Sequence, residues 1–146
     1  PDCVVIGDIG AAWDYALLNR VFNELMQGAE LVAMHRNRYW QTDAGLQMDI
    51  GAFVAGLEYV SAREATVIGK PARAFFELAA RALDLAPGEV LMVGDDIDND
   101  VGGAQAAGMQ GALVQTGKYR AGLVGRSPVV PDAVLASVAE LPGLLR

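Results

Sequence analysis

The sequence predicts an α/β fold with mainly parallel strands, and three observations carry that prediction. Short apolar runs alternate with stretches of helical periodicity along the whole chain, the pattern that builds parallel sheets covered by helices. One such run, Val90-Leu91-Met92-Val93, stops at Gly94 and is followed by Asp95-Asp96-Ile97-Asp98-Asn99-Asp100. That order reads as a strand buried on both faces whose carboxyl end delivers carboxylates, at the place where open α/β sheets bind ligands. Finally, the 146 residues are 53% hydrophobic and 20% charged, enough to bury a good core and too apolar for a disordered chain.

The elements follow in order. Cys3 to Gly7 reads as a short buried strand. Ala16 to Gln27 carries Leu17, Leu18, Val21, Phe22, Leu25 and Met26 at helical spacing, and Gly28 is a good stop. Glu30 to Met34 is a second strand, so the chain opens with a strand–helix–strand unit. The polar and aromatic stretch His35-Arg36-Asn37-Arg38-Tyr39-Trp40 reads as a loop. His35 is the only histidine, and a single histidine after a strand is more often structural than catalytic. Arg36 and Arg38 beside Tyr39 and Trp40 could meet a phosphorylated or aromatic substrate, or simply pack. A helix from Asp49 or Gly51 to Val60 follows, with Ile50, Phe53, Val54 and Leu57 on one side, and then a strand from Ala65 to Gly69.

Pro71 suits the first position of the next helix, which runs to Leu85 with Phe76, Ala79, Ala80 and Leu83 on its apolar side. Lys70 thus falls between a strand's carboxyl end and a helix's amino end, where anions are held. Ala86-Pro87-Gly88 turns the chain into the strand that ends at Gly94. Beyond it, Asp98 or Asn99 can cap a helix that continues to Ala107 and closes at Gly108. Gly111 to Thr116 reads as another buried strand, with the loop Thr116-Gly117-Lys118-Tyr119-Arg120 at its end. Val134 to Leu141 reads as a terminal helix.

Charge and composition exclude several classes. Eleven basic residues against eighteen acidic ones leave a net charge of −7 with no basic stripe, which argues against nucleic acid and anionic membrane as partners. Cys3 is the only cysteine, so neither a disulfide framework nor a zinc site of the usual spacing is expected. No apolar run approaches the roughly 18 residues of a membrane span, and no basic leader precedes Cys3. A reducing, cytoplasmic location is the expectation. The chain opens on Pro1-Asp2 directly before a strand, which suggests a piece of something longer.

Asp95, Asp96, Asp98 and Asp100 repel one another, so a fold gains from collecting them only if something offsets their charge. Oxygen ligands of this kind suit a hard cation such as Mg2+, against the plain alternative of a solvated acidic turn. A Ca2+-binding EF-hand loop begun at Asp96 would need glycine and glutamate where Val101 and Ala107 stand. A receiver domain would need an aspartate at the end of a later strand, and the only later one is Asp132, in the linker with Pro128 and Pro131. A dinucleotide fingerprint is ruled out because carboxylates follow Gly94 where a pyrophosphate would lie.

Lys70-Pro71, a helix, and then Val93-Gly94-Asp95 with a second carboxylate at Asp100 resemble motifs III and IV of the haloacid dehalogenase (HAD) superfamily of phosphatases. Tyr39-Trp40, Gly45-Leu46, Asp49-Ile50-Gly51, Leu57-Glu58-Tyr59, Asp100-Val101-Gly102-Gly103-Ala104-Gln105 and Thr116 to Arg120 extend the resemblance to the branch with a C2-type cap. It implies a HAD-like Rossmannoid parallel sheet, residues 65–146 forming the carboxyl-terminal part of the core and residues 1–64 an α/β C2-type cap. It implies Mg2+ as cofactor, with Asp95 as direct ligand and Asp96 as a further metal-site residue. Asp100 would hold metal-bound water or orient Lys70, and Lys70 would bind and neutralise the phosphate as a catalytic group. A small phosphorylated substrate, a phosphoamino acid or pyrophosphate would be the partner.

The family places its nucleophile and general acid in an Asp-x-Asp pair after an amino-terminal strand, and the sequence shows no such pair in that place. The expectation is a phosphatase that forms an aspartyl-phosphate in its parent protein, while this chain alone binds Mg2+ poorly and turns over no phosphoester. The alternative is a non-catalytic binding or dimerisation module. In the family the nucleophile strand lies beside Leu91-Met92-Val93. Without it an apolar edge is left unpaired, and a homo-oligomer is expected to cover it.

Overall fold

The computed structural model describes residues 1–145. The chain forms two compact units, Pro1–Gly69 and Lys70–Arg146.

In the first unit, β1 (Cys3–Ile6), α1 (Tyr15–Met26) and β2 (Glu30–Ala33) form the expected strand–helix–strand unit, with β1 and β2 parallel. Asp14 caps α1 by accepting from Leu17 N at 2.7 Å, which satisfies one of the amide groups a helix leaves open at its start. The residues between β2 and the next helix are not a plain loop. They form an antiparallel hairpin of β3 (Tyr39–Thr42) and β4 (Gly45–Met48). Gly45 takes φ +110°, and Thr42 Oγ1 donates to Gly45 O at 2.9 Å, so the reversal is closed by a side chain and a residue without Cβ. Hydrophobic alternation in these four-residue strands is too short to announce them.

α2 (Gly51–Ser61) packs on α1, and β5 (Thr66–Val67) adds in parallel to the far side of β2. The three-stranded order is therefore β1-β2-β5. Its core joins Ile6, Leu31 and Ala33 of the sheet to Val21, Leu25, Val54 and Leu57 of the helices. Trp13 stacks on Phe53 with ring centroids 5.3 Å apart and donates from Nε1 to Gly7 O. The sequence sets its domain boundary at residue 64 and puts residues 65–69 at the head of the carboxyl-terminal part. β5 instead hydrogen-bonds to β2, and along the chain the first compact unit runs to Gly69.

The second unit opens with Lys70. The Lys70–Pro71 peptide is cis, and α3 (Arg73–Leu83) starts only after Ala72, whose ψ of 128° is extended. Pro71 is thus two residues ahead of the helix and not its first residue. β6 (Leu91–Gly94), a π-helical turn (Ile97–Gly102), α4 (Gly103–Ala106), β7 (Gln110–Val114), α5 (Ala121–Val124), β8 (Ala133–Leu135) and α6 (Leu141–Leu144) follow. The parallel order is β6-β7-β8.

Three expectations are corrected here. The helix expected from Asp98 is a wide turn first and regular only from Gly103. The terminal helix expected over Val134 to Leu141 is β8 followed by a short turn, because Ala133 to Leu135 pair with Ala112 to Val114. β6 is only half-buried throughout, since β7 is its one strand neighbour among the described residues; β7 is the buried strand, with Ala112 and Leu113 fully enclosed. Phe76 and Ala80 of α3 pack on Ala104, Ala107 and Met109, and Ile97 and Val101 pack on Leu113.

Asp132 ties the segment ahead of β8 to β7. Its Oδ2 accepts from Gly111 N at 2.7 Å and from Gln105 Nε2 at 3.1 Å. The Gly111 amide first, and then Gln105, hold its carboxyl below the ordinary carboxylate value of 3.8. A depressed folded pKa contributes stability that is present above the unfolded pKa and lost as pH falls through the folded one. The melting temperature is therefore expected to drop between pH 4 and more acidic conditions, and Asp132→Asn should flatten that slope. Parallel pH profiles of the two proteins would contradict this.

Candidate functional site

The carboxyl end of β6 delivers Asp95 and Asp96, and the π-helical turn then brings Asp100 back to the strand end. The widening is visible in the hydrogen bonds: Asp96 O accepts from both Asp100 N, at 3.0 Å, and Val101 N, at 3.3 Å. Such wide turns are frequent at functional sites. Asp96 caps the turn through Oδ1, which accepts from Asn99 N at 3.0 Å and Asp98 N at 3.2 Å, and Asn99 Nδ2 donates to its Oδ2.

Asp100 is 4% exposed. A buried carboxylate must be paired and hydrogen-bonded to keep its charge, and Asp100 has both. Lys70 Nζ donates to Oδ1 at 2.7 Å, and Asp96 N donates to Oδ2 at 3.2 Å. The Lys70 side chain is 37% exposed, so its ammonium joins the buried carboxylate while remaining open to solvent. Gly94 makes room for this arrangement, since a Cβ there would overlap the Asp100 carboxylate.

Asp95 is half-buried and faces the loop after β7. Lys118 N donates to its Oδ2 at 2.7 Å; among the described residues no donor engages Oδ1. The Lys118 ammonium lies 3.8 Å from Asp96 Oδ2. Asp98 points elsewhere and accepts from Ser127 Oγ at 2.6 Å. Asp95, Asp96 and Asp100 against the Lys70 and Lys118 ammonium groups leave a formal surplus of one negative charge at this strand end, which favours a bound cation.

The structure thus places Lys70, Asp95, Asp96 and Asp100 at the carboxyl end of β6. It adds Gly117 and Lys118, whose sequence signals are their place at the end of a buried strand and their part in the Thr116 to Arg120 stretch of the family resemblance. His35 and Arg36 belong to the first unit, and each has an acidic neighbour there. His35 Nδ1 is 3.8 Å from the buried Asp49, and Arg36 is paired with Glu58 at 2.5 Å.

No group of three or more His, Cys, Asp or Glu side chains among the described residues converges as a metal cage. Mg2+ keeps several waters and binds through one or two carboxylates, so it does not require such a cage. The unengaged Oδ1 of Asp95 is the donor that fits.

The HAD-hydrolase-like family model matches residues 67–141, which spans α3, the acidic turn, Lys70 and the Lys118 loop. The chain belongs to the HAD-like hydrolase family. It is 49% identical over 121 residues to haloacid dehalogenase-like hydrolase domain-containing protein 2 from Bos taurus, covering 83% of this chain and 47% of that protein. It is 40% identical over 147 residues to phospholysine phosphohistidine inorganic pyrophosphate phosphatase from Mus musculus, covering 99% of this chain and 54% of that protein. Among solved structures it resembles glycerol phosphate phosphatase from Mycobacterium tuberculosis in complex with magnesium, with a TM-score of 0.82 and 31% identity, covering 97% of this chain and 43% of that one. The HAD-like chain therefore spans about half the length of the curated relatives it matches. Its two parallel α/β sheets agree with the fold of these phosphatases.

Proposed function

We propose that these residues supply the metal- and phosphate-facing part of a Mg2+-dependent phosphatase centre, whose nucleophile comes from an Asp-x-Asp strand outside the 146 residues. The observation that carries this reading is the Lys70–Asp100 pair beside Asp95: an ammonium held by a buried carboxylate, next to a carboxylate with one oxygen unengaged. Asp95 would hold the cation directly. Asp96 would meet it only through water, because its oxygens are taken up by the turn and by Lys118. When bound, Mg2+ would offset the charge of a transferring phosphoryl group. Lys70 would place a second positive charge against the phosphate, and Asp100 would fix where that charge sits.

Residues 1–64, continued through β5, would form the C2-type cap that faces substrate. The names of the relatives support a small phosphorylated substrate, with phosphoamino acids and pyrophosphate in the same class. The single, exposed Cys3 accords with a reducing, cytoplasmic setting, and no helix among the described residues is long and apolar enough to cross a membrane. The half-buried β6, paired only with β7 among the described residues, supports self-association along its other side.

The test is hydrolysis of p-nitrophenyl phosphate, pyrophosphate and phosphohistidine with and without Mg2+. It uses the 146-residue chain alone and the same chain joined to a family Asp-x-Asp strand segment. The expected result is turnover only by the joined protein and only with Mg2+. Absence of turnover by a folded, joined protein would favour a non-catalytic binding module. Light scattering on the chain alone should show a dimer or larger species; a monomer at high concentration would refute the self-association.

A further inference from the structure

The loop after β7 makes one contact that the roles of Lys70, Asp95 and Asp100 leave unexplained. Gly117 sits in the left-handed region at φ +54°, and a Cβ on it would fall on Oδ2 of Asp95. The next residue, Lys118, donates its backbone N–H to that same oxygen at 2.7 Å. Its side chain, 19% exposed, turns back to Asp96 and brings the ammonium to 3.8 Å from Oδ2. Backbone and side chain of one residue therefore grip the two adjacent aspartates at the end of β6.

We propose that Gly117-Lys118 is a positioning turn that fixes the orientation of Asp95, holding Oδ2 and presenting Oδ1 to the cation. The inference rests on the reading of Asp95 as the Mg2+ ligand. A carboxylate with neither oxygen held rotates and must be ordered when the metal arrives, whereas one held by a fixed N–H is ordered beforehand. Gly117 has two parts in this. It tolerates the left-handed backbone that aims the Lys118 N–H, and it leaves the space the Asp95 oxygen occupies. Any side chain at 117 removes both. Lost outer-shell hydrogen bonds typically weaken metal affinity by about 10–100-fold, and that is the effect expected here.

The probe is Mn2+, followed in the full chain by electron paramagnetic resonance of the free ion up to millimolar concentration. Gly117→Ala should bind Mn2+ at least about tenfold more weakly than the unmutated protein. Gly122→Ala, at a helical glycine with nothing near its Cβ position, should bind as the unmutated protein does. Far-ultraviolet circular dichroism checks that each variant is folded. If Gly117→Ala fails to fold, the Lys118 amide of the unmutated, 15N-labelled protein decides. It should be protected from exchange and remain so when Mg2+ is added, because turn and cation use different oxygens. Release of that amide on Mg2+ addition, or equal Mn2+ affinity in folded Gly117→Ala, overturns the positioning turn alone. Absence of Mn2+ binding by the unmutated protein overturns the Asp95 metal reading and the turn with it.

Discussion

Gly94→Ala is expected to be the most damaging single substitution in the carboxyl-terminal unit. The added Cβ would overlap the carboxylate of Asp100, close to its Cβ as well. Because the obstacle lies near the Asp100 backbone, a change of rotamer cannot remove it. Either β6 shifts away from β7 or Asp100 swings off the strand end. The first weakens the pairing of Val93 and Gly94 with Ala112 and Leu113, an overpacking cost of about 1–3 kcal/mol. The second strands a carboxylate that is 4% exposed away from Lys70 and from the Asp96 amide, a further cost of about 1–3 kcal/mol. Urea unfolding should show a loss of about 3 kcal/mol, and the phosphatase-competent protein should lose turnover as well. A loss below about 1 kcal/mol would mean that the site relaxes far more easily than close packing allows.

Lys70→Met is expected to be the next most costly change, for an electrostatic reason. It removes the only ammonium among the described residues that faces Asp100, at 2.7 Å, and keeps most of the side-chain volume. Breaking a fully buried pair costs about 3–5 kcal/mol. Here one partner is 37% exposed and already solvated, so about 2 kcal/mol is the better expectation. Asp100→Asn should cost less, because an amide oxygen can still accept from Asp96 N. The double variant should be more stable than the sum of the two losses predicts, since it leaves no unpaired buried charge. A coupling above about 0.5 kcal/mol by denaturant unfolding would establish the pair as a unit, and strict additivity would contradict it. In the phosphatase-competent protein, Lys70→Met should also lower kcat by about 100-fold or more, the usual loss when a group stabilising transition-state charge is removed. The stability cost and the rate cost are separable: Asp100→Asn keeps the Lys70 ammonium but removes the carboxylate that anchors it, so it should spare more stability than rate.

Both variants show why much of this site is legible in one dimension. Lys70 and Asp100 are read from the ends of two apolar segments, because the end of a buried strand is where a parallel sheet exposes its ligand-facing groups. The same rule reaches Asp95. It does not distinguish Asp95 from Asp96, which are adjacent and chemically identical. What separates them is that Asp96 turns into its own helical turn to accept from Asp98 and Asn99, while Asp95 faces the loop after β7. That difference depends on a contact between residues 23 positions apart, which no local pattern encodes.

The elements divide in a similar way. α1, α2 and α3 are long enough for their apolar periodicity to declare them, and β1, β2, β6 and β7 are apolar runs closed by turns. Val134, Leu135 and Val138 of the β8 region also fit helical spacing, and only pairing with the open side of β7 makes Ala133 to Leu135 a strand. The β3–β4 hairpin depends on Gly45 and on a Thr42 side-chain bond rather than on any hydrophobic alternation. β5, two residues long, joins whichever sheet offers it a free edge, and β2 does.

By itself, then, the sequence determined that this is an α/β protein of the HAD-like hydrolase family, with a carboxylate cluster and a lysine at strand ends. The α/β class and the charged strand ends follow from local periodicity, turn chemistry and charge, all of which act between near neighbours, while the family follows from the resemblance of the Lys70-Pro71 and Gly94-Asp95 motifs. The tertiary structure alone decided which aspartate keeps an oxygen open, which one is buried against Lys70, and where the two compact units divide. Those choices rest on hydrogen bonds and close approaches between distant segments, and they exist only once the strands are paired and the turns are closed.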